Sequence, residues 1–249
     1  MTSLQQIVDR QLRRWESERL AALEAARQAG ARARPVPPPT VTVARQIGVH
    51  GAAIARALAS RLGYQLFDQE IIDYIASHHE VRRKLLEMLD EQTASGIRLW
   101  AEGIVRGQHL DRADFLRFLS KTVRAIHSHG DAVILGRGAN FLLADARAFR
   151  VLLVAPTEAR IAVLTEDRGL APDAARHALE TSDAARAEFI RGFFHAEWGD
   201  PRNYDLTLNV GELPVAVAAA ILEDALRGFA AARWPGLIVG PRVSSTAAG

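Results

Sequence analysis

Short apolar, often β-branched runs alternate with longer stretches of helical period along most of this chain. That alternation restricts the fold more than any other feature. Residues 41–45 read Val-Thr-Val-Ala-Arg, a strand signal. Residues 51–62 carry apolar side chains at helical spacing and stop at Gly63. A second short strand follows at residues 65–67, and Asp68 caps a helix running to about residue 77. Residues 132–135, 149–155 and 205–209 supply three further strands. Helices are expected over 80–93 and 112–129, with a looser segment between them, and from Pro156 to about 168. Two more are expected over 172–181 and 183–195, split near Thr181 and Ser182, and a last one from Pro214 to about 231. Strands separated by helices predict an open, mostly parallel five-stranded α/β sheet flanked by helices. Ligands bind such sheets outside the carboxyl ends of the strands. The candidate site is therefore the set of loops beginning at Arg45, Phe67, Leu135 and Ala155.

The two ends lie outside this alternation. Residues 1–30 form an amphipathic extension, with Leu4, Ile7, Val8, Leu12, Trp15 and Leu23 at helical spacing, a capping-box start at Ser3 and Gln6, and Gly30 as a stop. Its stripe needs a partner, either its own domain or, through this helix, a second copy in a homodimer. Residues 31–40 hold Pro35, Pro37, Pro38 and Pro39, an extended spacer. The main domain is expected over 41–231, with a loose tail over 232–249.

Composition narrows the chemistry. No cysteine is present, which excludes thiolate nucleophiles and cysteine-based zinc sites. No apolar run is long enough to span a membrane, and no apolar leader core opens the chain, so the expected compartment is the cytoplasm. The net charge of +2 is too small for a nucleic-acid reader. Lys84 and Lys121 are the only lysines among 31 basic side chains, so phosphate binding would fall to arginine and its bidentate fork.

The first strand ends in Arg45-Gln46-Ile47-Gly48-Val49-His50-Gly51 and leads directly into a helix. Strand, glycine-bearing turn and helix is the setting in which backbone N–H groups cradle phosphate. It is equally the setting of a plain turn. A regular phosphate loop would continue with Lys and then Ser or Thr, whereas Ala52 and Ala53 follow here. His78 with His79, and His127 with His129, lack a third ligand at metal-binding spacing, and no metal site is assigned.

The segment 41–59, then Leu62-Gly63-Tyr64-Gln65-Leu66-Phe67-Asp68-Gln69-Glu70-Ile71-Ile72, resembles the opening of the cytidylate kinase-like family. The likeness continues through Val133-Ile134-Leu135-Gly136-Arg137-Gly138-Ala139-Asn140, through 150–161, and through Asp183-Ala184-Ala185-Arg186. It closes on Trp198, Asp200-Pro201 and Tyr204-Asp205-Leu206-Thr207-Leu208-Asn209.

The resemblance implies a P-loop NTPase-type fold with a helical lid. It also implies transfer of the ATP γ-phosphoryl, with Mg2+, to a nucleoside monophosphate such as CMP. On that footing Gly48, Val49, His50 and Gly51 would hold the ATP phosphates. Asp68 and Arg137 would hold the acceptor, and Arg186, with Arg168 and Arg191, would supply lid charge to the transition state. A helical Arg186 can equally pair with Asp183 or Glu188, and Asp68 can be a plain helix cap. The family usually has a basic and a polar residue where Ala52 and Ala53 stand. This departure supports the alternative of a non-catalytic nucleotide-binding or interaction module of the same fold.

Overall fold

A computed structural model describes residues 4–28, 39–78, 80–81, 110–237 and 239–240. In chain order the described elements are α1 (Leu4–Gln28), β1 (Thr40–Arg45), α2 (Gly51–Leu62), β2 (Gln65–Phe67), α3 (Gln69–Ser77) and α4 (Leu110–His129). They continue with β3 (Ala132–Leu135), α5 (Ala139–Leu142), β4 (Ala148–Val154), α6 (Thr157–Arg168) and α7 (Pro172–Phe194). A 3-10 turn at Pro201–Asn203, β5 (Leu206–Asn209) and α8 (Val215–Arg233) complete the set. The chain clusters into two compact units, residues 1–37 with 67–130 and residues 38–66 with 131–249.

The larger unit is organised by its sheet, whose strand order is β2-β3-β1-β4-β5. Central β1 runs parallel to β3, with Val41 opposite Val133, and parallel to β4, with Val41 opposite Phe149. β4 pairs in parallel with β5, Val151 opposite Leu206. Helices cover such strands, so the strands read as continuous apolar runs: Val41, Val43, Val133, Val151 and Leu153 are all buried. Against them pack Ile54, Leu58 and Leu62 of α2 and Leu222 and Leu226 of α8. From β1 the chain first builds β2 and β3 on one side and then β4 and β5 on the other. The direction of winding changes at β1, which places the ligand crevice of such a sheet outside that strand's carboxyl end.

In the smaller unit α1 buries Val8, Leu12 and Trp15. The Trp15 ring stacks on Phe67 at 5.6 Å and on His129 at 4.2 Å, so this part of the stripe is covered by its own chain. The side chains of Leu4 and Leu23, the cap at Ser3 and the stop at Gly30 lie outside the described residues. So do the proline spacer up to residue 38, the expected helix over 80–93 beyond residue 81, the looser segment after it, and the tail from 241.

Two local expectations change. No break occurs at Thr181 and Ser182, and α7 is one continuous helix. Leu179 and Ile190 on either side are both buried, and that packing outweighs the weak helix preference of a Thr-Ser pair. The short helix α5 has no counterpart among the expected elements; Gly138, left-handed at φ 64°, starts it.

Candidate functional site

The turn leaving β1 is pinned to the end of β4. The Gln46 amide donates to the Leu153 carbonyl at 3.1 Å, and its side-chain Oε1 accepts from the Ala155 amide at 3.0 Å. Gly48 has φ +77°, and a Cβ there would lie 2.7 Å from the Arg160 carbonyl oxygen, so only glycine fits. Val49 is buried in the sheet core, which leaves only its backbone available to a ligand. His50 is left-handed at φ 48° and precedes α2 without capping it through its side chain. The first helical bond runs from the Ile54 amide to the His50 carbonyl at 3.0 Å. The head of α2 therefore carries no side-chain cap and no acidic residue in its first turn, a combination that favours an anion. Ala52 and Ala53 are exposed there. The His50 ring approaches Asp167 of α6 at 3.4 Å, both side chains about half exposed.

A residue that the sequence reading assigned no role secures this turn. Arg160 of α6 is buried; its Nε donates to the Ile47 carbonyl and its Nη2 to Asp183 Oδ2 of α7, each at 2.8 Å. The available signal was a cation beside Ile161 and one turn before Leu164, on the apolar stripe of its helix. Asp183 also faces Arg186 at 3.4 Å, and Arg186 Nη1 donates to Ser182 Oγ at 2.6 Å. Burial lowers the Arg186 guanidinium from its usual value; Asp183 opposes this and Arg160 adds to it. Arg186 thus lies beside the turn's clamp. Arg168 is exposed at the end of α6, and Arg191 is exposed and 3.5 Å from Glu197.

The loop leaving β3 holds three successive left-handed residues, Gly136 at φ +82°, Arg137 at +53° and Gly138 at +64°. The Gly136 amide donates to Val43 of β1 at 3.0 Å, which ties the loop to the central strand. A Cβ at Gly138 would come within 2.6 Å of the Phe194 ring, so the end of α7 rests on this loop. Arg137, half-buried, is the residue here that pays for a left-handed backbone without being glycine, and such strain concentrates at functional sites. Asp68 belongs to the other unit, where its Oδ1 accepts from the Ile71 amide at 3.0 Å and caps α3.

A cavity of about 380 Å³ adjoins the turn. Gly48, Val49 and His50 form one wall, Ala159 and Val163 of α6 another, and residues 210–215 a third. Its walls come from three separated segments, and no local motif announces it. Among the described residues no three His, Asp or Glu side chains converge as metal ligands. These described side chains alone do not build a resident cation site.

The parallel sheet, with a glycine turn and an uncapped helix at its switch point, defines an open α/β domain of the ligand-binding type. The model of the cytidylate kinase-like family matches residues 40–212, and the chain belongs to that family. An uncharacterized protein from Eubacterium ventriosum shares the fold, with a TM-score of 0.53 at 17% identity, covering 77% of this chain and 99% of that chain. A shikimate kinase from Bacteroides thetaiotaomicron has a TM-score of 0.45 at 16% identity, covering 76% of this chain and 98% of that chain. No curated protein matches the sequence. Among the described residues no helix is long and apolar enough to cross a membrane.

Proposed function

We propose that this protein is an ATP-dependent phosphotransferase acting on a nucleoside monophosphate such as CMP, in the cytoplasm. The observation that carries the reading is the turn after β1: it delivers an uncapped helix start beside a nucleotide-sized cavity. The backbone from Gly48 to Gly51 would receive the ATP phosphates, and the cavity would receive the nucleoside. Arg137, held at a strand end between two glycines, would fork onto the acceptor phosphate. An acceptor oxygen then attacks the γ-phosphorus while the bond to the bridging oxygen breaks and ADP leaves. The protein's part is positioning and positive charge, with Arg186, Arg168 and Arg191 as the helical arginines on hand. Magnesium, if it accompanies ATP, would be held chiefly by phosphate and water.

The exposed Ala52 and Ala53 favour a second reading, a nucleotide-binding module without turnover. Measuring ADP release from ATP with CMP, UMP, AMP and GMP in turn separates the two. Turnover at ordinary kinase rates, ~1–100 per second, with one of them supports the enzyme. ATP binding without ADP release supports the module, and absence of ATP binding removes both.

A further inference from the structure

We propose that Arg45 is the cation of the phosphate turn, delivered from the strand instead of from the helix. The proposal rests on the phosphate-binding reading above. A Cβ added to Gly51, the first residue of α2, would fall 2.7 Å from Arg45 Cγ and 3.0 Å from Arg45 Cβ. The Arg45 stem therefore occupies the space into which a side chain at the head of α2 would project. Its guanidinium lies beside Gly136: a Cβ there would sit 3.2 Å from Cζ and 3.5 Å from Nη2, with Nη1 nearer still. One side chain thus leaves the end of β1, crosses the head of α2 and ends at the loop after β3. Glycine at 51 makes room for the stem, and glycine at 136 makes room for the fork.

This placement answers the problem raised by Ala52 and Ala53. Both lysines of the chain, Lys84 and Lys121, lie outside the phosphate turn in sequence. A guanidinium between the turn and the Gly136–Gly138 loop is where the transferred phosphoryl would pass between donor and acceptor. Arginine stays charged at any physiological pH, and its five donors let it hold a protein partner and a phosphate together. A cation on a rigid strand end is also placed more exactly than one on a mobile lid.

The test is calorimetric titration of the full chain with ATP, inorganic tripolyphosphate and adenosine. Three proteins are compared: the wild type, Arg45→Gln, and the double variant Arg45→Ala with Gly51→Lys. Gln keeps the two methylenes that pack on Gly51 and removes the charge. Losing a charge-assisted contact should weaken ATP and tripolyphosphate binding by about tenfold or more while adenosine binding is unchanged. The double variant vacates the stem's space and refills it from residue 51, so it should recover most of the loss. A wild type that binds ATP no more tightly than adenosine, and no tripolyphosphate, overturns the phosphate-binding reading itself. A wild type that prefers ATP alongside an Arg45→Gln that binds it equally well overturns Arg45 alone. Equal losses for ATP and adenosine make Arg45 a strut and also overturn the proposal. If Arg45→Gln fails to fold, the double variant decides: ATP preference retained supports the proposal, and its loss overturns it.

Discussion

The turn after β1 and the loop after β3 leave neighbouring strands at the same edge of the sheet, and both need left-handed residues. They are secured by opposite chemistry. Polar contacts hold the first: the Arg160 guanidinium on Ile47 and the Gln46 side chain on Ala155. Beyond its backbone bond from Gly136 to Val43, the second is held through Gly138 by aromatic and aliphatic packing, with Phe194 and Ile190 against it. One helix serves both, because Asp183 in the middle of α7 receives Arg160 while Ile190 and Phe194 lie near its end. A directional clamp fixes backbone amides in one geometry, as phosphate binding requires. Non-directional packing tolerates small displacements, which on the proposed reading would let the loop admit and release an acceptor.

The comparison breaks most visibly at Arg160. Arg160→Ala leaves the Ile47 carbonyl without its donor and Asp183 without its closest cation. Arg160 is buried but Asp183 is about one-quarter exposed and keeps Arg186, so the loss should be about 2–3 kcal/mol, between the values for exposed and fully buried pairs. Urea unfolding should show a large fall in midpoint with little change in slope, together with loss of ATP binding. A fall under ~1 kcal/mol would mean that the clamp is ornamental and the turn holds itself. Gly48→Ala comes next. The left-handed backbone costs an L-residue about 1–2 kcal/mol, and the Cβ must also displace the Arg160 backbone. The same unfolding measurement should show a smaller loss than Arg160→Ala but the same loss of ATP binding.

These two sites differ in how readable they were. Gly48 stood out because its signal is local: a glycine between a strand and a helix. Asp68 as a cap and Gly63 as a stop were legible for the same reason, and both occur as expected. Arg160 was not, because its partners lie 113 and 23 residues away in sequence. The split expected at Thr181 and Ser182 failed because a local preference was weighed without the burial of Leu179 and Ile190. The sheet itself was readable from β-branched runs between helices. Its strand order, which puts β1 at the centre, was not, since order depends on pairings that no single segment specifies.

The loop after β3 should respond in the opposite way to the turn. Phe194 is half-buried, stacked on Phe141 at 5.2 Å and in contact with Gly138. Phe194→Ala should cost about 1.5–2.5 kcal/mol, roughly half the value for a fully buried ring. Monophosphate binding should weaken while ATP binding holds. Arg137→Ala should give the same split with less loss of stability, through a lost charge-assisted fork worth about tenfold in monophosphate affinity. Parallel titrations of CMP and ATP on both variants check this. If either variant loses both ligands equally, the two loops are a single mechanical unit and do not differ in the way their contacts imply.

The smallest effect is expected away from both loops, where it serves as the control. Glu223 of α8 receives Arg227 from one turn along its own helix at 2.7 Å and Arg61 of α2 at 2.6 Å. The hydrogen bond from Arg227 holds its carboxyl below the usual carboxylate value; burial opposes this, and the hydrogen bond and charge of Arg61 add to the lowering. A depressed folded-state value means that the stabilisation is fully present above the unfolded value and is lost as pH falls through the folded one. Glu223→Gln should therefore be slightly less stable than wild type at pH 7, and the two should converge in acid below the ordinary carboxylate range. Glu223 is largely covered, but both arginines are about half exposed, which keeps each pair to ~1 kcal/mol or less, and α2 keeps its apolar packing on α8 through Leu58 and Leu222. ATP and CMP affinities at pH 7 should be unchanged. A change in ATP affinity alone would show that strain at the tail of α2 reaches its head, and the turn would then be less self-contained than its clamp implies.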